Sequence, residues 1–435
     1  MDHFIYTKIS RICDEIKVKG EIGVTPYLEI GNINIKTKYY SFENKASVKG
    51  CRIARKDDVL ISRVRPTRGA IVVVKENFLM VSNAFTILRP LQPIRSKYIF
   101  YNLAWNQKFL THLGDNCTGS LYPTVSDNII IDYSIPFFSF NEQDRIVKKL
   151  DLILPRVQNA KSKLEKIPVL LKKFRQSILA AACSGKLTED WREGKDLPEW
   201  VLAKAENITT AITKGTTPSA EDILNTGSIP YLKVYNIVDQ KIKFFNKSQY
   251  VNHETHQGFL KRSIIYPGDV IMNIVGPPLG KVALVSDEFP EWNINQAIAF
   301  FRPIKDKILS KYLYIVLCNG DPITEISMEF RGSAGQQNIS LEQARNFLIP
   351  LPSLDEQHEI IHIVEKLFVL ADSIETKYKK ALSRFEKIEQ AVLTKAFRGE
   401  LVESDPNDEP AEELLKRILE EKPKTEGVKK VKKKK

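Results

Sequence analysis

The segment His358–His362 (HEIIH) is a pattern that could hold a catalytic metal. Two histidines four residues apart share a helix face and can bind zinc between them, with the glutamate as general base. An internal repeat, described below, places Asp144 and Lys148 at the two histidine positions, and no third ligand stands out downstream. Because Ile360 belongs to the apolar side of the predicted helix, we expect both histidines to face away from that side and to bind no metal.

Other catalytic patterns are incomplete. The segment Gly276–Lys281 (GPPLGK) is one residue short of a phosphate-binding P-loop and lacks the Ser or Thr that should follow the lysine. The segment His253–His256 (HETH) has no Cys or His set nearby, and the five cysteines are too scattered to form a CxxC pair. The sequence therefore predicts no catalytic residue, no metal site and no cofactor on this chain.

Arginine side chains concentrate around a predicted strand near residue 60 and the turn that follows it, Arg63–Gly69 (RVRPTRG). A guanidinium group can grip a DNA phosphate or read guanine in the major groove. A second polar loop, Thr118–Ser126 (TGSLYPTVS), carries hydroxyl and aromatic side chains. The DNA contacts predicted in this half of the chain are Asn32, Arg52, Arg55, Arg63, Arg65, Thr67, Arg68, Ser120, Tyr122 and Thr124.

The second half of the chain repeats both loops with different side chains. Asn273–Lys281 (NIVGPPLGK) matches the arginine-rich turn, and Arg331–Ser340 (RGSAGQQNIS) matches the second loop, with amides suited to the edges of adenine. The DNA contacts predicted here are Lys233, Asn236, Asn273, Lys281, Arg331, Ser333, Gln336, Gln337 and Asn338. Matching loops with different side chains are what readers of two different half-sites require. For any single loop, a solvated surface or a structural cap is the alternative.

Length and charge agree with a nucleic-acid partner. The chain has 435 residues, enough for two or three domains, and a formal net charge of +12. Residues 1–140 carry 19 basic and 12 acidic side chains, whereas residues 196–354 carry 15 and 16, so the excess lies in the first half. No apolar run is long enough to span a membrane, and the N-terminus lacks a signal-peptide pattern. With the scattered cysteines, these features predict a cytoplasmic protein.

An internal duplication organises the chain. Residues 135–187 match residues 349–401 at an offset of 214 without a gap, and a weaker match extends back through both globular regions. Apolar residues alternate at steps of four and three from Ile146 to Ile178 and from Ile360 to Val392, the spacing of a coiled-coil seam. We expect two helices of about 33 residues, each about 50 Å long, that pack against each other. Packing of each helix on its own domain is the alternative.

Local signals refine these helices. Both begin in a capping-box pattern, Ser139–Glu142 and Ser353–Glu356. Pro155 and Pro168 occur only in the first copy and predict a kink or a restart there, because proline removes a backbone donor. Outside the two blocks, short apolar runs separated by Gly and Pro predict mixed α and β units. Residues Ala411–Glu421 predict one more helix.

On these residues the chain resembles the DNA-specificity subunits of Type I restriction–modification enzymes. The resemblance rests on the PxxSxxEQ-type starts of the long helices and on their ends, Phe174–Trp191 (FRQSILAAACSGKLTEDW) and Ile388–Leu401 (IEQAVLTKAFRGEL). It also rests on Leu197–Pro218, which opens the second globular region, and it spans the chain to about residue 402. The first globular region departs from it, because its opening lacks the Gly-x-x-Pro turn of Gly215–Pro218.

The resemblance implies an α+β fold with two tandem α/β target recognition domains. Two long antiparallel coiled-coil helices, related by a pseudo-twofold axis, would separate them. The expected bounds are 1–140 and 196–354 for the target recognition domains 1 and 2, 141–195 and 355–402 for the central and C-terminal conserved helical regions, and 403–435 for a charged tail.

The resemblance also implies a function. Each domain would read one half of a bipartite double-stranded DNA target, while the helices set the spacer and dock methyltransferase (M) subunits. A restriction/motor (R) subunit would be a further partner. S-adenosylmethionine, ATP and Mg would belong to these partners, so this chain would be a non-catalytic subunit with no cofactor of its own.

Two other functions stay open on the sequence. A stand-alone nuclease or methyltransferase with fused recognition domains would need an N-P-P-[YF] motif or a clustered carboxylate–lysine set, and neither is evident. A coiled-coil interaction protein without a role on DNA would show no salt-dependent DNA binding, whereas phosphate contacts make the binding constant fall as salt rises.

Overall fold

The computed structural model describes residues 3–19, 25–45, 50–324 and 338–422. The chain forms two compact units, one made of Met1–Glu165 and Lys379–Lys435 and the other of Lys166–Tyr378. Each unit holds one globular domain and a stretch of the long helices, and each is described by itself. No helix in the described ranges combines the length and the apolar character needed to cross a membrane.

The globular domain of the first unit is built on two four-stranded sheets. Its elements are β1 (Ile5–Lys8), α1 (Ile9–Ile12), β2 (Cys13–Glu15), β3 (Thr25–Leu28), β4 (Glu43–Lys45), β5 (Arg52–Ala54), β6 (Val59–Ser62), β7 (Ile71–Val73), β8 (Leu79–Val81), β9 (Phe85–Pro90), α2 (Ser96–Ala104), α3 (Gln107–Asp115), α4 (Asp127–Ile131) and β10 (Ser134–Phe137). The strand orders are β2-β9-β6-β7 and β4-β3-β8-β5, and β1 pairs with β10. Neighbouring strands are antiparallel except for the parallel pair β3 and β8.

The strand β6 shows why its sequence is apolar without alternation. Val59 and Ile61 pack into a core shared with the helices of the domain, whereas Leu60 packs into the core between the two sheets. Because both faces of the sheet are covered, every residue of the strand is buried.

The second unit repeats this architecture. Its elements are α6 (Ile167–Cys183), α7 (Glu189–Arg192), β11 (Val201–Lys204), α8 (Ala205–Ile208), β12 (Thr209–Lys214), β13 (Ile223–Leu224), β14 (Ile229–Leu232), β15 (Ile237–Val238), β16 (Lys241–Ile242), β17 (Tyr250–Val251), α9 (His253–Gln257), β18 (Ile264–Ile265), β19 (Val270–Asn273), β20 (Val282–Leu284), β21 (Trp292–Ile294), β22 (Ile298–Pro303), α10 (Ser310–Asn319), α11 (Leu341–Arg345) and β23 (Leu348–Leu351). The sheet β12-β22-β19-β20 matches β2-β9-β6-β7 strand for strand, and β14 and β21 form the parallel pair. The predicted duplication of an α+β domain is therefore confirmed.

Each unit contains a buried ion pair that joins two of its own strands, at equivalent places in the repeat. The carboxylate of Asp58, which is 0% exposed, accepts hydrogen bonds from Arg89 Nε at 2.8 Å and Nη2 at 2.7 Å. Asp269, which is 3% exposed, accepts from Arg302 Nε at 3.0 Å and Nη2 at 2.8 Å. Each pair ties the start of β6 or β19 to its neighbour β9 or β22.

The long helices are α5 (Phe140–Leu164), which leads directly to α6, and α12 (Leu354–Phe397). The predicted restart is confirmed at Pro168, which lies in the first turn of α6. Pro155 lies inside α5, which continues to Leu164, so the helix does not restart at this proline. The segment from Lys97 to Leu113 forms two helices, α2 and α3.

The helices pair antiparallel within each unit. In the first unit, Lys161 Nζ lies 3.7 Å from Glu386 Oε1, while Leu154 and Leu393 share a core nearer the domain. In the second unit, Arg175 Nη2 lies 2.6 Å from Asp372 Oδ1. In both cases the residue number rises along one helix as it falls along the other.

The predicted seam drifts along α12. Ile374 and Ile388, placed in the seam by the 3.5-residue spacing, are 37% and 44% exposed. Ile360 and Ala396 are both 0% exposed, and each packs into the core of its own unit. An α-helix of ordinary pitch has about 3.6 residues per turn, so a strict seven-residue repeat rotates slowly around it.

The segment that follows α6 packs on the start of α12, and the segment that follows α12 packs on the start of α5. In the second unit the buried Glu356 carboxylate accepts hydrogen bonds from Thr188 Oγ1 at 2.7 Å and Trp200 Nε1 at 2.9 Å and pairs with Arg192. In the first unit Asp408 accepts from Ser139 Oγ at 3.0 Å and Arg145 Nη2 at 2.7 Å. The residue range 399–410 leads from α12 to α13 (Ala411–Glu421), which packs on the same domain.

The predicted capping boxes are half formed. Ser139 Oγ accepts a hydrogen bond from Glu142 N at 3.1 Å, and Ser353 Oγ accepts from Glu356 N at 3.3 Å. The glutamate side chains, however, turn to other partners: Glu142 to His3, and Glu356 to the three side chains described above. The Glu356 carboxylate holds the returning chain segment and the Glu142 carboxylate holds the N-terminal segment, instead of completing the caps.

Replacing Asp408 by asparagine is expected to destabilise the first unit by about 1–2 kcal/mol at pH 7, because a charge-assisted hydrogen bond to Arg145 is lost. That hydrogen bond lowers the pKa of Asp408, although burial opposes it. A depressed folded-state pKa stabilises the fold above the unfolded value of about 3.9 and loses that effect as pH falls through the folded value. Urea unfolding should therefore separate variant and wild type at pH 7, and the difference should shrink as pH falls through the folded-state pKa of Asp408. The exposed Glu403→Gln control should match wild type throughout.

Candidate nucleic-acid interface

The two polar loops predicted in the first unit lie side by side. Arg65 N donates a hydrogen bond to Pro123 O at 2.8 Å, and Val125 N donates to Arg63 O at 3.0 Å. Val64 and Thr124 form a β-bridge between the loops. We call this composite surface, residues 63–69 and 118–126, the first tip.

Several side chains of the first tip are available to a ligand. The guanidinium of Arg65 lies 5.4 Å from the ring centre of Tyr122, and the latter is 69% exposed. Thr67, Arg68 and Ser120 are also exposed, whereas Thr124 is half-buried. Arg65 adopts a left-handed backbone conformation (φ 47°) that a side chain rarely takes, and the turn it opens closes at Gly69 (φ 66°). The tip therefore presents cations, hydroxyl groups and an aromatic face together.

Two of the predicted arginines serve as supports beneath the tip. Arg52 and Arg63 lie 3.5 Å and 3.4 Å from the carboxylate of Asp127, and their side chains are only 14% and 25% exposed. Burial raises the pKa of Asp127, but the hydrogen bond from Thr86 and the two positive charges outweigh it and hold that pKa below its usual value. These guanidinium groups fix the base of the tip.

Two other predicted residues are not part of the first tip. Arg55 is exposed but precedes β6, whereas the tip follows that strand, so the two lie at opposite ends of it. Asn32 is half-buried, and its side-chain oxygen accepts a hydrogen bond from Glu29 N at 3.2 Å, which caps a short turn. The amide oxygen of Asn32 is therefore engaged with its own backbone turn.

The second unit forms an equivalent surface. Ile339 N donates a hydrogen bond to Ile274 O at 2.9 Å, and Val275 forms a β-bridge with Asn338. We call residues 273–281 with 338–340 the second tip. Exposed Asn338 and half-buried Lys281 belong to it. The predicted contacts Arg331, Ser333, Gln336 and Gln337 lie outside the described residues.

The buried asparagines of the second unit shape loops. Asn273 is 0% exposed; its amide donates to Val275 O at 3.1 Å and Pro278 O at 2.7 Å, and its oxygen accepts from Lys281 N at 2.6 Å. Asn236, 1% exposed, accepts from Lys233 N at 2.9 Å. Both amides are buried and hydrogen-bonded to backbone groups of their own loops.

Lys233 belongs to a cationic group next to aromatic rings. It is half-buried, and burial together with the charge of Lys247 lowers its pKa. Lys247 Nζ lies 4.7 Å from the ring centre of Tyr235. An anion bound here would relieve the repulsion between the two ammonium groups.

The HEIIH segment lies at the start of α12 with His358 and His362 exposed and Ile360 buried, as the helix period requires. Among residues 3–19, 25–45, 50–324 and 338–422, no group of three or more His, Cys, Asp or Glu side chains is arranged to hold a metal ion.

Comparison with known proteins points to one family. Residues 199–384 match the Type I restriction modification DNA specificity domain. The Type I restriction enzyme EcoBI specificity subunit of Escherichia coli is 30% identical over 309 residues, which cover 67% of this chain and 64% of that protein. The EcoDI specificity subunit, also from Escherichia coli, is 28% identical over 342 residues and 73% of each chain. The chain is similar to the Type I restriction–modification specificity family over about two thirds of its length. Its matched part spans just under two thirds of the EcoBI protein.

Solved structures of this specificity family share the fold. The HsdS subunit from Thermoanaerobacter tengcongensis superposes with a TM-score of 0.60 at 20% identity, covering 92% of this chain and 97% of the other. A second structure, from work on complex assembly and conformational transition of the type I R-M system, gives a TM-score of 0.73 at 19% identity and covers 92% and 98%.

Sequence reasoning missed one polar group in the second unit. The hydroxyl of Thr216 accepts hydrogen bonds from Arg262 Nε at 3.2 Å and Ser263 Oγ at 3.0 Å, and Thr217 bonds to Gln296. Ile274 N donates to Ala297 O at 2.9 Å, so this group borders the second tip. The signal was the turn Gly215–Pro218: a Cβ on Gly215 would lie 2.1 Å from Ile294 O, so only glycine allows the approach.

Proposed function

We propose that this chain is the sequence-specific DNA-binding subunit of a Type I restriction–modification system, with each unit reading one half of a bipartite target. The observation that carries the proposal is the duplicated tip. The backbone pairing of residues 64 and 124 recurs at 275 and 338, while the side chains on the two scaffolds differ. One backbone with two sets of side chains suits two different half-sites.

The side chains of the first tip fit double-stranded DNA. Arginine forks bind phosphates bidentately and read guanine O6 and N7 in the major groove. Arg68 and Thr67 are exposed there, and Arg65 lies over the ring of Tyr122. Pinned by Asp127, Arg52 and Arg63 would keep these groups in place, which lowers the ordering cost of binding.

The partners follow from the same proposal. The relatives are named as specificity subunits of type I restriction enzymes, and one structural neighbour comes from work on assembly of such a system. Methyltransferase subunits carrying S-adenosylmethionine and a restriction/motor subunit using ATP and Mg would supply the chemistry. This chain would supply the sequence-specific recognition of DNA and the helical docking surface, and it would catalyse nothing itself. The domain bounds 1–140, 141–195, 196–354, 355–402 and 403–435 describe these parts.

Selection from a random double-stranded library by the purified full-length chain should recover two short sequence blocks separated by unspecified bases. Binding should weaken with salt at a slope of roughly −0.9 in log–log units for each phosphate contact. One contiguous block, or DNA binding without a salt dependence, would contradict the proposal. Methyl transfer from S-adenosylmethionine to DNA by this chain alone would show a stand-alone enzyme instead.

A further inference from the structure

In each unit, a hairpin residue with a positive φ angle lies next to the tip. In the first unit, the hairpin around residues 33–40 places Lys38 at φ 59°. In the second unit, the hairpin of β15 and β16 turns through Asp239 and Gln240 at φ 51° and 58°. A residue other than glycine in this conformation is strained, and such strain persists only where the surroundings impose it.

In the first unit, the side chain of Lys38 contacts the end of the turn in the first tip. Its Nζ donates a hydrogen bond to Gly69 O at 2.5 Å and lies 5.5 Å from the ring centre of Trp105. Gly69 is the residue at which the turn Pro66–Arg68 closes. A Cβ on Gly69 would lie 3.2 Å from the same ammonium, which shows how closely the two groups fit.

The charge of Lys38 is turned inward. The side chain is half-buried, and burial lowers its pKa to about 8, against the influence of Glu389 on α12. An ammonium held in this way is poorly placed to meet a DNA phosphate. Its contacts are with the turn and with an aromatic ring.

In the second unit, Gln240 makes the matching contact with different chemistry. Its side-chain oxygen accepts a hydrogen bond from Val282 N at 2.6 Å, at the point where the chain leaves the second tip. Its backbone carbonyl accepts a hydrogen bond from the hydroxyl of Tyr314 on α10 at 2.9 Å. Residues 69 and 280 are equivalent glycines with φ 66° and 75°. Lys38 and Gln240, which we call the struts, therefore make their contacts within two residues of the same position in the repeat.

We propose that Lys38 and Gln240 are positioning residues, each setting the geometry with which its own tip reads its own half-site. The inference rests on the proposed function. Both units keep a strained hairpin residue, an aromatic backing and a hydrogen bond to the chain leaving the tip. The donor in one unit and the acceptor in the other show that position, and not side-chain identity, is what the two copies share.

The test compares full-length chains carrying Lys38→Met or Gln240→Met with two controls on the same hairpins, Lys36→Met and Lys241→Met. Without DNA, hydrogen exchange should quicken about tenfold at Gly69–Ile71 in the first variant and at Val282 in the second, because each loses its tie. The controls should leave both segments unchanged. Unchanged exchange in the strut variants would overturn the inference.

Half-site selection supplies the second readout. Lys38→Met should lower discrimination in one sequence block about tenfold and leave the other intact, and Gln240→Met should do the reverse. Lys38→Arg and Gln240→Glu, which keep a donor and an acceptor, should restore much of it, whereas general unfolding would blur both blocks. Faster exchange with both blocks unaltered would refute the specificity role alone. A wild-type chain that selects no bipartite site would refute the proposed function and, with it, the specificity role of Lys38 and Gln240. The exchange result would still decide whether these residues hold the geometry of the tips.

Discussion

Replacing Arg89 by methionine is expected to destabilise the first unit by about 3–5 kcal/mol, and Arg302→Met should do the same to the second. Each substitution leaves a buried carboxylate without its cation, since Asp58 and Asp269 are 0% and 3% exposed. The converse change, Asp58→Asn, should cost less, because the side chain of Arg89 is 37% exposed and can be solvated. Urea unfolding combined with hydrogen exchange in β6 and β19 would report the loss in each unit separately.

The double variant Asp58→Asn with Arg89→Met should recover part of the lost stability, because no uncompensated charge then stays inside. Matched controls are the exposed pairs Lys8–Asp132 in the first unit and Lys311–Glu365 in the second, with side chains at least 54% exposed. Lys8→Met and Lys311→Met should change the free energy of unfolding by less than about 1 kcal/mol. Equal losses for Arg89→Met and Lys8→Met would show that burial of the carboxylate does not control this ion pair.

The duplicated architecture was predictable because both copies leave independent traces of it. In the weaker part of the sequence repeat, Asp58 matches Asp269, Arg89 matches Arg302 and Gly69 matches Gly280. The structure gives each pair the same role in both units. The composite tips were predictable for the same reason. Matching loops with different side chains on a repeated set of strands indicate a surface whose side chains vary while its backbone is kept.

The role of single polar residues was not predictable. An amide has the same chemistry whether it staples a loop, as Asn273 does, or reads a base, and only burial separates the two. Arg55 shows a different limit. It lies in the same basic cluster of the sequence as the tip arginines, but the four-residue strand β6 intervenes and spans about 13 Å at 3.3 Å per residue.

The helices show where periodicity alone falls short. Steps of four and three predicted the helices, and antiparallel pairing is present within each unit. The same steps misplaced Ile374 and Ile388, since a seven-residue repeat is buried throughout only when the helices supercoil to match it. Pro155 was tolerated because a helix can lose one hydrogen bond on an exposed side, and that residue is exposed.

Replacing Arg65 and Arg68 together by alanine is expected to weaken discrimination at one half-site by about 10–100-fold, because a bidentate contact to guanine contributes about 1–3 kcal/mol. Arg65 precedes the turn Pro66–Arg68 of the first tip and lies over Tyr122, and Arg68 ends that turn and is exposed. The second block should keep its preference, since its tip is built from a separate part of the chain. Library selection with the double variant and with Asn338→Ala, which alters the second tip, would show whether each change affects its own block.

Arg55→Ala is the matched control, because it removes the same charge from an exposed side chain of the same unit but at the other end of β6. It should leave both sequence blocks intact and weaken binding only through long-range charge, which is screened beyond about 10 Å at 0.1 M salt. Arg65→Lys with Arg68→Lys should recover affinity and salt dependence but not discrimination, since lysine keeps the charge and lacks the fork. If the lysine variant discriminated as wild type does, these arginines would contact phosphates and the first tip would read its bases with Ser120, Tyr122 or their neighbours.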